Sequence, residues 1–204
     1  MSPSHHLDDL VDLPPPDLTG AVSVAAALNR RRSVREFTAT PLTLTEISQL
    51  LWAAHGVTEP REGLRTVPSA GALYPLEVYL VLPEGVFHHD PVGHRLCRHA
   101  DRDLRRPLAK TALGQNCVAQ APAVMILCAV IARTARIYGA EASRYVHMEL
   151  GHAAQNILLQ AVALDLGGVP VGAFHEEKLQ AVIGLPSDHV PLYLVPVGRP
   201  RPSR

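Results

Sequence analysis

The chain has no charge of either sign to spare. Its 204 residues carry 19 basic and 19 acidic side chains, so there is no surplus of Lys and Arg to displace counterions from a polyanion, which argues against a general nucleic-acid binder. Cysteine is scarce: Cys97, Cys117 and Cys128 are odd in number, far apart and without a CxxC pair. Neither a disulfide framework nor a zinc site follows, and a reducing, cytoplasmic setting is expected. Long apolar runs are also missing, since the weakly charged stretches 119–131 and 153–164 fall short of the ~20 residues that cross a bilayer. The first twenty residues hold histidines and acids and then a run of three prolines at 14–16 in place of a signal peptide's basic start and apolar run. Three familiar glycine signatures are absent: GxGxxG, GxxxxGK[ST] and GxSxG, the usual loops for dinucleotides, nucleoside triphosphates and nucleophilic serines.

What is present is a chain 47% hydrophobic, able to bury one sizeable core. Pro14, Pro15 and Pro16 favour an extended arm over residues 1–18, flexible or draped, followed by a single folded domain over 19–204. Thr19 or Ser23 could cap a short helix through Ala25–Leu28 that ends in Arg30, Arg31 and Arg32. Thr43 and Glu46 form a capping box before Leu44, Ile47, Leu50, Leu51 and Ala54, with Gly56 as the stop. A loop is expected over 57–75, a strand over 76–82, a hairpin over 87–98, a helix over 101–118 and a buried strand over 123–130. The spacing then predicts a long helix over 141–166, apolar on more than one face and so enclosed on several sides, and strands over 169–174 and 192–197. Helices and strands do not alternate strictly, which points to an α+β fold.

Four segments carry the candidate chemistry. Arg30, Arg31, Arg32 and Arg35 place four guanidinium groups around the Ser33 hydroxyl, a set suited to a phosphate monoester. Residues 68–75 form an uncharged loop of small residues whose backbone can approach a flat ligand. Residues 167–174 are apolar and glycine-interrupted, and Arg199 and Arg201 follow the last strand. Taken singly, each reads equally well as a solvated helix end, a connection, a core strand or a tail. Together they describe a ligand with an anionic phosphate end and a flat, largely apolar end, and flavin mononucleotide (FMN) is such a molecule. A metal site finds less support. His147 and His152 lie about 140° apart around a helix, and the single ExxH pair, Glu149 and His152, has no second copy to build a carboxylate-bridged centre.

The chain resembles the FMN-dependent nitroreductase superfamily, and within it the SagB-type dehydrogenase branch. The resemblance rests on RRSVREF (31–37), ISQLLWAAHG (47–56), RTVPSAGALYPLEVYLV (65–81), the Gln115 region, YVHMELGHAAQNILLQAVALDLG (145–167), VPVGAF (169–174) and PLYLVPVGRPR (191–201). It implies a nitroreductase-like three-layer fold, an antiparallel or mixed sheet flanked by helices, in an intertwined, obligate homodimer with no membrane or nucleic-acid partner. It also implies that Arg31, Arg32 and Ser33, with Arg199 and Arg201, hold the phosphate, and that Arg35 lies near the flavin N1/O2 edge. Pro68, Ser69, Ala70 and Gly71 correspond to a loop reaching the flavin from the other subunit, and Val171, Gly172 and Ala173 to backbone at the N5/O4 edge. The implied reaction is hydride exchange at flavin N5 that dehydrogenates a peptide-derived or heterocyclic intermediate. The resemblance also admits an NAD(P)H-dependent nitro or quinone reductase, or a non-catalytic flavin-binding subunit. Azoline oxidases of the branch carry a Lys-Tyr pair before the long helix. Here the pair reads Ile137, Tyr138, leaving Tyr138 as the candidate acid or base and Arg133, Arg136 or Lys110 as possible substitutes for the lysine.

Overall fold

The computed structural model describes residues 10–202. In chain order these form Leu10–Asp12 (β1), Val24–Arg30 (α1), Leu44–His55 (α2), Val57–Glu59 (β2), Leu64–Arg65 (β3), Leu76–Leu82 (β4), Gly85–Asp90 (β5), Arg95–Ala100 (β6), Arg105–Thr111 (α3), Asn116–Gln120 (α4), Ala123–Ala129 (β7), Ile131–Tyr138 (α5), Ala142–Ala163 (α6), Gly167–Gly168 (β8), Glu176–Ile183 (α7) and Val190–Gly198 (β9). Seven strands make one sheet in the order β1-β6-β5-β4-β7-β9-β8, every neighbouring pair antiparallel, and β2 and β3 pair apart from it.

Side-chain alternation along the strands produces the layers, because successive residues point to opposite faces. From β4, Leu76, Val78 and Leu80 join a core that includes Ile47, Leu50 and Leu51 of α2 and Val146, Ala153 and Ile157 of α6. Tyr79 and Val81 join the opposite core, with Leu108 of α3, Val118 of α4 and Leu179 of α7. The result is the expected α+β fold, an antiparallel sheet flanked by helices on both faces. All seven residues of β7 are buried, as its unbroken apolar run requires. The expected capping box of α2 forms in both directions, with the Glu46 N–H donating to Thr43 and the Thr43 N–H donating to Glu46, and the Ser23 hydroxyl caps α1 by accepting from the Ala26 N–H.

Several expectations need correction. Residues 1–9 of the arm lie outside the described residues, but Leu10–Asp12 adds a strand to the sheet edge against β6 and the Asp17 N–H donates to the Gln49 side chain. The stretch from Leu10 is therefore draped and bonded, and the sheet begins before residue 19. The loop over 57–75 contains the β2–β3 hairpin and a helical turn at Ala70–Ala72. The single helix expected over 101–118 breaks into α3 and α4, because Leu113 and Gly114 both adopt positive φ, 58° and 75°. The strand expected over 169–174 is displaced to Gly167–Gly168, with Val171 making an isolated bridge to Leu194. Helices α5 and α7 were not anticipated. Helix α6 packs against α1, α2, α5 and the sheet, but within one chain one strip of it stays open: Met148 is 51% exposed, and Gly151 and His152 are exposed beside it.

Two histidines lie within the α2–sheet layer. His55 and His89 are 1% and 0% exposed, their rings 5.4 Å apart, and neither ring nitrogen of His89 has a hydrogen-bond partner among the described residues. Burial, reinforced by neighbouring His94, holds His89 down to about 3, and burial likewise holds His55 well below the ordinary histidine value. Both are neutral in the native state, so below about pH 6.5 the unfolded chain binds protons that the native chain refuses. Replacing His89 by Leu should therefore stabilise the protein relative to wild type increasingly as pH falls below about 6.5, by up to about 1.4 kcal/mol per pH unit. Urea unfolding from about pH 7.5 to about 5 measures this; a pH-independent difference contradicts the neutral assignment.

Candidate functional site

The basic run leaves α1 at Arg31, where the backbone turns extended (φ −55°, ψ 125°). The following residues are bonded on both sides. The Val34 N–H donates to the Gly168 carbonyl (3.0 Å), the Thr38 N–H to the Arg199 carbonyl (2.9 Å) and the Arg201 N–H to the Glu36 carbonyl (3.0 Å). Ser33 bridges Gly168, and Phe37 bridges Pro200. Two arginine segments distant in sequence are thus held together through main chain. Close approach at this junction requires glycine: a Cβ on Gly167 would stand 2.5 Å from Val34 Cγ2, and one on Gly198 3.1 Å from Phe37 Cδ1. Beside the junction lies a cavity of about 340 Å³ whose walls include Arg30, Arg32, Val34, Gly167, Gly168 and Pro200.

Of the guanidinium groups in the two segments only Arg30 and Arg32 line this cavity, and the groups are not equivalent. Arg30, one of the four guanidinium groups of the basic run, pairs instead with Asp165 at 3.1 Å. Arg32 folds back to donate to the carbonyls of Asn29 and Arg31. Arg199 donates to Glu46 at 2.7 Å and to the Pro41 carbonyl, and Arg201 reaches the Phe37 carbonyl at 3.4 Å. Arg31 is half-buried, and Ser33 and Arg35 are exposed. Arg35 lies close enough to Cys117 to lower its thiol pKa against the larger upward effect of burial. On the same side Gln115 donates to the Ala173 carbonyl at 3.0 Å. Gly172 and Ala173 are exposed, and Val171 exchanges two main-chain hydrogen bonds with Leu194.

The loop at Pro68, Ser69, Ala70 and Gly71 lies elsewhere. Gly71, Ala72 and Tyr74 adopt positive φ of 61°, 52° and 45°, which costs about 1–2 kcal/mol at each non-glycine position. Three contacts hold this conformation: the Tyr74 N–H donates to Ser69 Oγ (2.9 Å), Arg133 donates to the Tyr74 carbonyl (3.2 Å), and the Arg65 guanidinium lies 4.6 Å above the Tyr74 ring. Arg133 also pairs with Glu77, which bonds His88 at 2.7 Å. The Arg133 and His88 contacts keep the Glu77 carboxyl below its ordinary value despite burial. Tyr138 stands over this loop, its hydroxyl 3.1 Å from where a Cβ on Gly71 would be, with its ring edge-on to Tyr145.

The structure therefore gathers the candidates into two groups. Arg31, Arg32, Ser33, Arg35, Val171, Gly172, Ala173, Arg199 and Arg201 surround the junction near the C-terminal end of α6, where a Cβ on Gly168 would meet Leu158. Pro68–Gly71 and Tyr138 sit near its N-terminal half, where the Ser69 side chain meets Glu149. Nine residues of helix separate those contacts, roughly 14 Å. Arg133 is engaged with Glu77, and Lys110 lies on α3 in the layer across the sheet, so neither stands free beside Tyr138. The ExxH pair is split, with Glu149 buried and His152 exposed, and no three His, Cys, Asp or Glu among the described residues could hold a metal ion. Among those residues no helix is long and apolar enough to cross a membrane. Sequence reasoning assigned no part in this site to Arg65 or Glu149. The signal for Glu149 was available, since it lies three residues after Val146 and four before Ala153, on the buried face of α6.

The sequence profile of the nitroreductase family matches residues 28–199. The chain belongs to the nitroreductase family. The match spans every candidate residue except Arg201. A Methanocaldococcus jannaschii protein named as a nitroreductase is 44% identical over 199 residues, covering 95% of this chain and 98% of that one. A crystal structure named as a nitroreductase from Ralstonia eutropha JMP134 shares 31% identity at a TM-score of 0.88, over 96% of this chain and 91% of that one. At 22% identity the family fold extends to the NADPH:FMN oxidoreductase of Vibrio harveyi (TM-score 0.66, covering 88% of this chain and 69% of that one). It extends also, at 22% identity, to a chain of the Escherichia coli microcin synthetase McbBCD complex with truncated pro-MccB17 bound (TM-score 0.72, 93% and 78%).

Two glycines at the site should respond differently to the same change. Gly167→Ala drives a methyl into Val34 and should destabilise the chain by about 1–3 kcal/mol. A Cβ on Gly172 meets only Tyr193 at 3.6 Å, so Gly172→Ala should stay within about 0.5 kcal/mol of wild type. Urea midpoints compare them, and equal values contradict the tight junction.

Proposed function

We propose that the chain is an FMN-dependent oxidoreductase of the SagB-type branch that works as a homodimer and dehydrogenates a peptide-derived or heterocyclic intermediate. The observation that carries this reading is the main-chain junction that brings residues 31–35 and 199–201 together beside one cavity. The donor set fits the group. Arg31, Ser33 and Arg35 are accessible without an ion pair among the described residues, and the exposed backbone at Gly172 and Ala173 leaves N–H groups free to meet a heteroaromatic edge.

In this reading Arg31, Arg32, Ser33 and Arg201 hold the phosphate, with Arg199 joining if it leaves Glu46. Hydrogen bonds to a charged group contribute about 1.5–3 kcal/mol each, and association costs offset much of that sum, so apolar burial of the ring system must add the rest. FMN, once bound, supplies hydride exchange at N5. Arg35 provides a fixed cation at the N1/O2 edge that stabilises negative charge gathered there, and Tyr138 holds or moves the proton that dehydrogenation releases. The loop at Pro68–Gly71 comes from the second chain. The roughly 14 Å between the two groups on one α6 supports that arrangement, as do the exposed strip around Met148 and the dimers common among nitroreductase folds. The peptide-bound state of the microcin synthetase supports a peptide-derived substrate.

One observation favours a second reading, an NAD(P)H-dependent nitro or quinone reductase: Ile137 replaces the lysine of azoline oxidases and is 67% exposed. Bleaching by NADPH and recovery with a nitroaromatic supports the reductase, whereas flavin inert to NAD(P)H that supports oxygen-dependent loss of two hydrogens from a peptide supports the oxidase.

The purified chain should be yellow and release a chromophore with the mass of FMN. Arg31→Ala and Arg201→Ala should be colourless or weakly coloured, and full FMN retention by both counts against the phosphate assignment. Arg35→Ala should keep much of its flavin but show a lower reduction potential by dye equilibration; an unchanged potential refutes its role.

A further inference from the structure

Glu149 is a carboxylate on the buried face of α6, 4% exposed, with Oε1 lacking any hydrogen-bond partner among the described residues. The groups facing it are few. Ser69 presents its hydroxyl from the loop, and Arg65 brings a cation from β3. On its own helix Tyr145 and His152 lie one turn to either side, half-buried and exposed respectively. Arg65 is equally incomplete: its Nε has no partner, and it makes no ion pair among the described residues. Two opposite ionisable groups thus flank the base of one loop without closing on each other.

An unpaired buried carboxylate is costly in its ionised form. Burial raises Glu149 to about 7, opposed by the Ser69 hydroxyl and the Arg65 charge, so the group changes state near neutrality. Above it lies the strained segment. Ser69 accepts the Tyr74 N–H, and Tyr74, at positive φ, sits beneath Arg65. Any movement of Arg65 toward Glu149 removes one of the three contacts that hold Tyr74.

We propose that Glu149 is a positioning residue that latches the 68–74 loop through one proton: neutral, it packs beneath Ser69 and leaves Arg65 on Tyr74; ionised, it draws Arg65 into an ion pair and releases Tyr74. The proposal rests on the reading of this loop as a flavin contact, and it deepens that reading by making loop fit depend on protonation. The neutral form favours the loop that fits the ligand, so ligand binding raises the Glu149 pKa and affinity falls as pH rises through about 7.

The test compares wild type with the near-isosteric Glu149→Gln. FMN affinity is titrated from about pH 6 to about pH 8.5, and the wild-type to Gln ratio cancels ionisation of FMN itself. One pKa unit of coupling makes the ratio fall about tenfold across that range; a constant ratio overturns the latch. In cofactor-free protein, infrared difference spectra should show a neutral carboxyl band in wild type that disappears with a midpoint near 7 and is missing in Glu149→Gln. The Tyr74 amide, corrected for intrinsic exchange, should lose protection over the same range in wild type alone. If both changes occur in the cofactor-free chain but FMN does not bind, the flavin reading fails and the latch stands. If FMN binds and neither change occurs, the latch fails and the flavin reading stands. Should Glu149→Gln fail to fold, the wild-type infrared titration alone decides whether a buried carboxyl titrates near neutrality.

Discussion

The segment from Ser33 to Thr38 is held between β8 on one side and the chain leaving β9 on the other, and the candidate site depends on that placement. Three main-chain hydrogen bonds and two bridges fix it, and Phe37 anchors it, 1% exposed in the core. Arginine side chains are long and flexible, so what brings the two arginine segments together is backbone: main-chain bonds hold residues 33–38 against Gly168 and 199–201. The glycine at 167 permits the contact because Val34 occupies the space a side chain would need. A cation cluster built this way carries its ordering cost in the fold and not in the binding step.

Charge at the junction is divided between structural and available groups. Arg30 and Arg199 have carboxylate partners in Asp165 and Glu46, and the second of these links the capping box of α2 to the chain after β9. Arg31 and Arg35 have none among the described residues. The other group of residues uses cations differently: Arg133 and Arg65 hold a backbone with three positive φ angles in four residues. Such strain persists only where neighbours over-determine it, and Arg65 of β3, Ser69 of the loop itself, and Arg133 and Tyr138 of α5 surround this segment to do so.

Much of the fold could be read before the coordinates. The capping box of α2, the strand over 76–82 and the unbroken apolar run of β7 are local signals, and each appears where expected. The failures share a physical cause. Helix α7 buries only Leu179 and Ile183, too few positions to declare a period, and the break between α3 and α4 depends on Leu113 accepting a left-handed backbone that sequence does not advertise. Strand β8 is two glycines, identifiable only through their neighbours. In the site, residue types pointed to the arginines and the small-residue loop, whereas the engagement of Arg199 with Glu46 and of Arg133 with Glu77 is a tertiary fact. Glu149 is visible by helical spacing as a residue on the packing face of α6, but the burial that raises its carboxyl is a tertiary fact.

Titration calorimetry of the cofactor-free chain with FMN and, in parallel, with riboflavin tests the central claim most directly, because the two ligands differ only in the phosphate. Convergence of the two arginine segments predicts that FMN binds at least about 100-fold more tightly, as the loss of two charge-assisted hydrogen bonds requires. Equal affinity for the two ligands would contradict it.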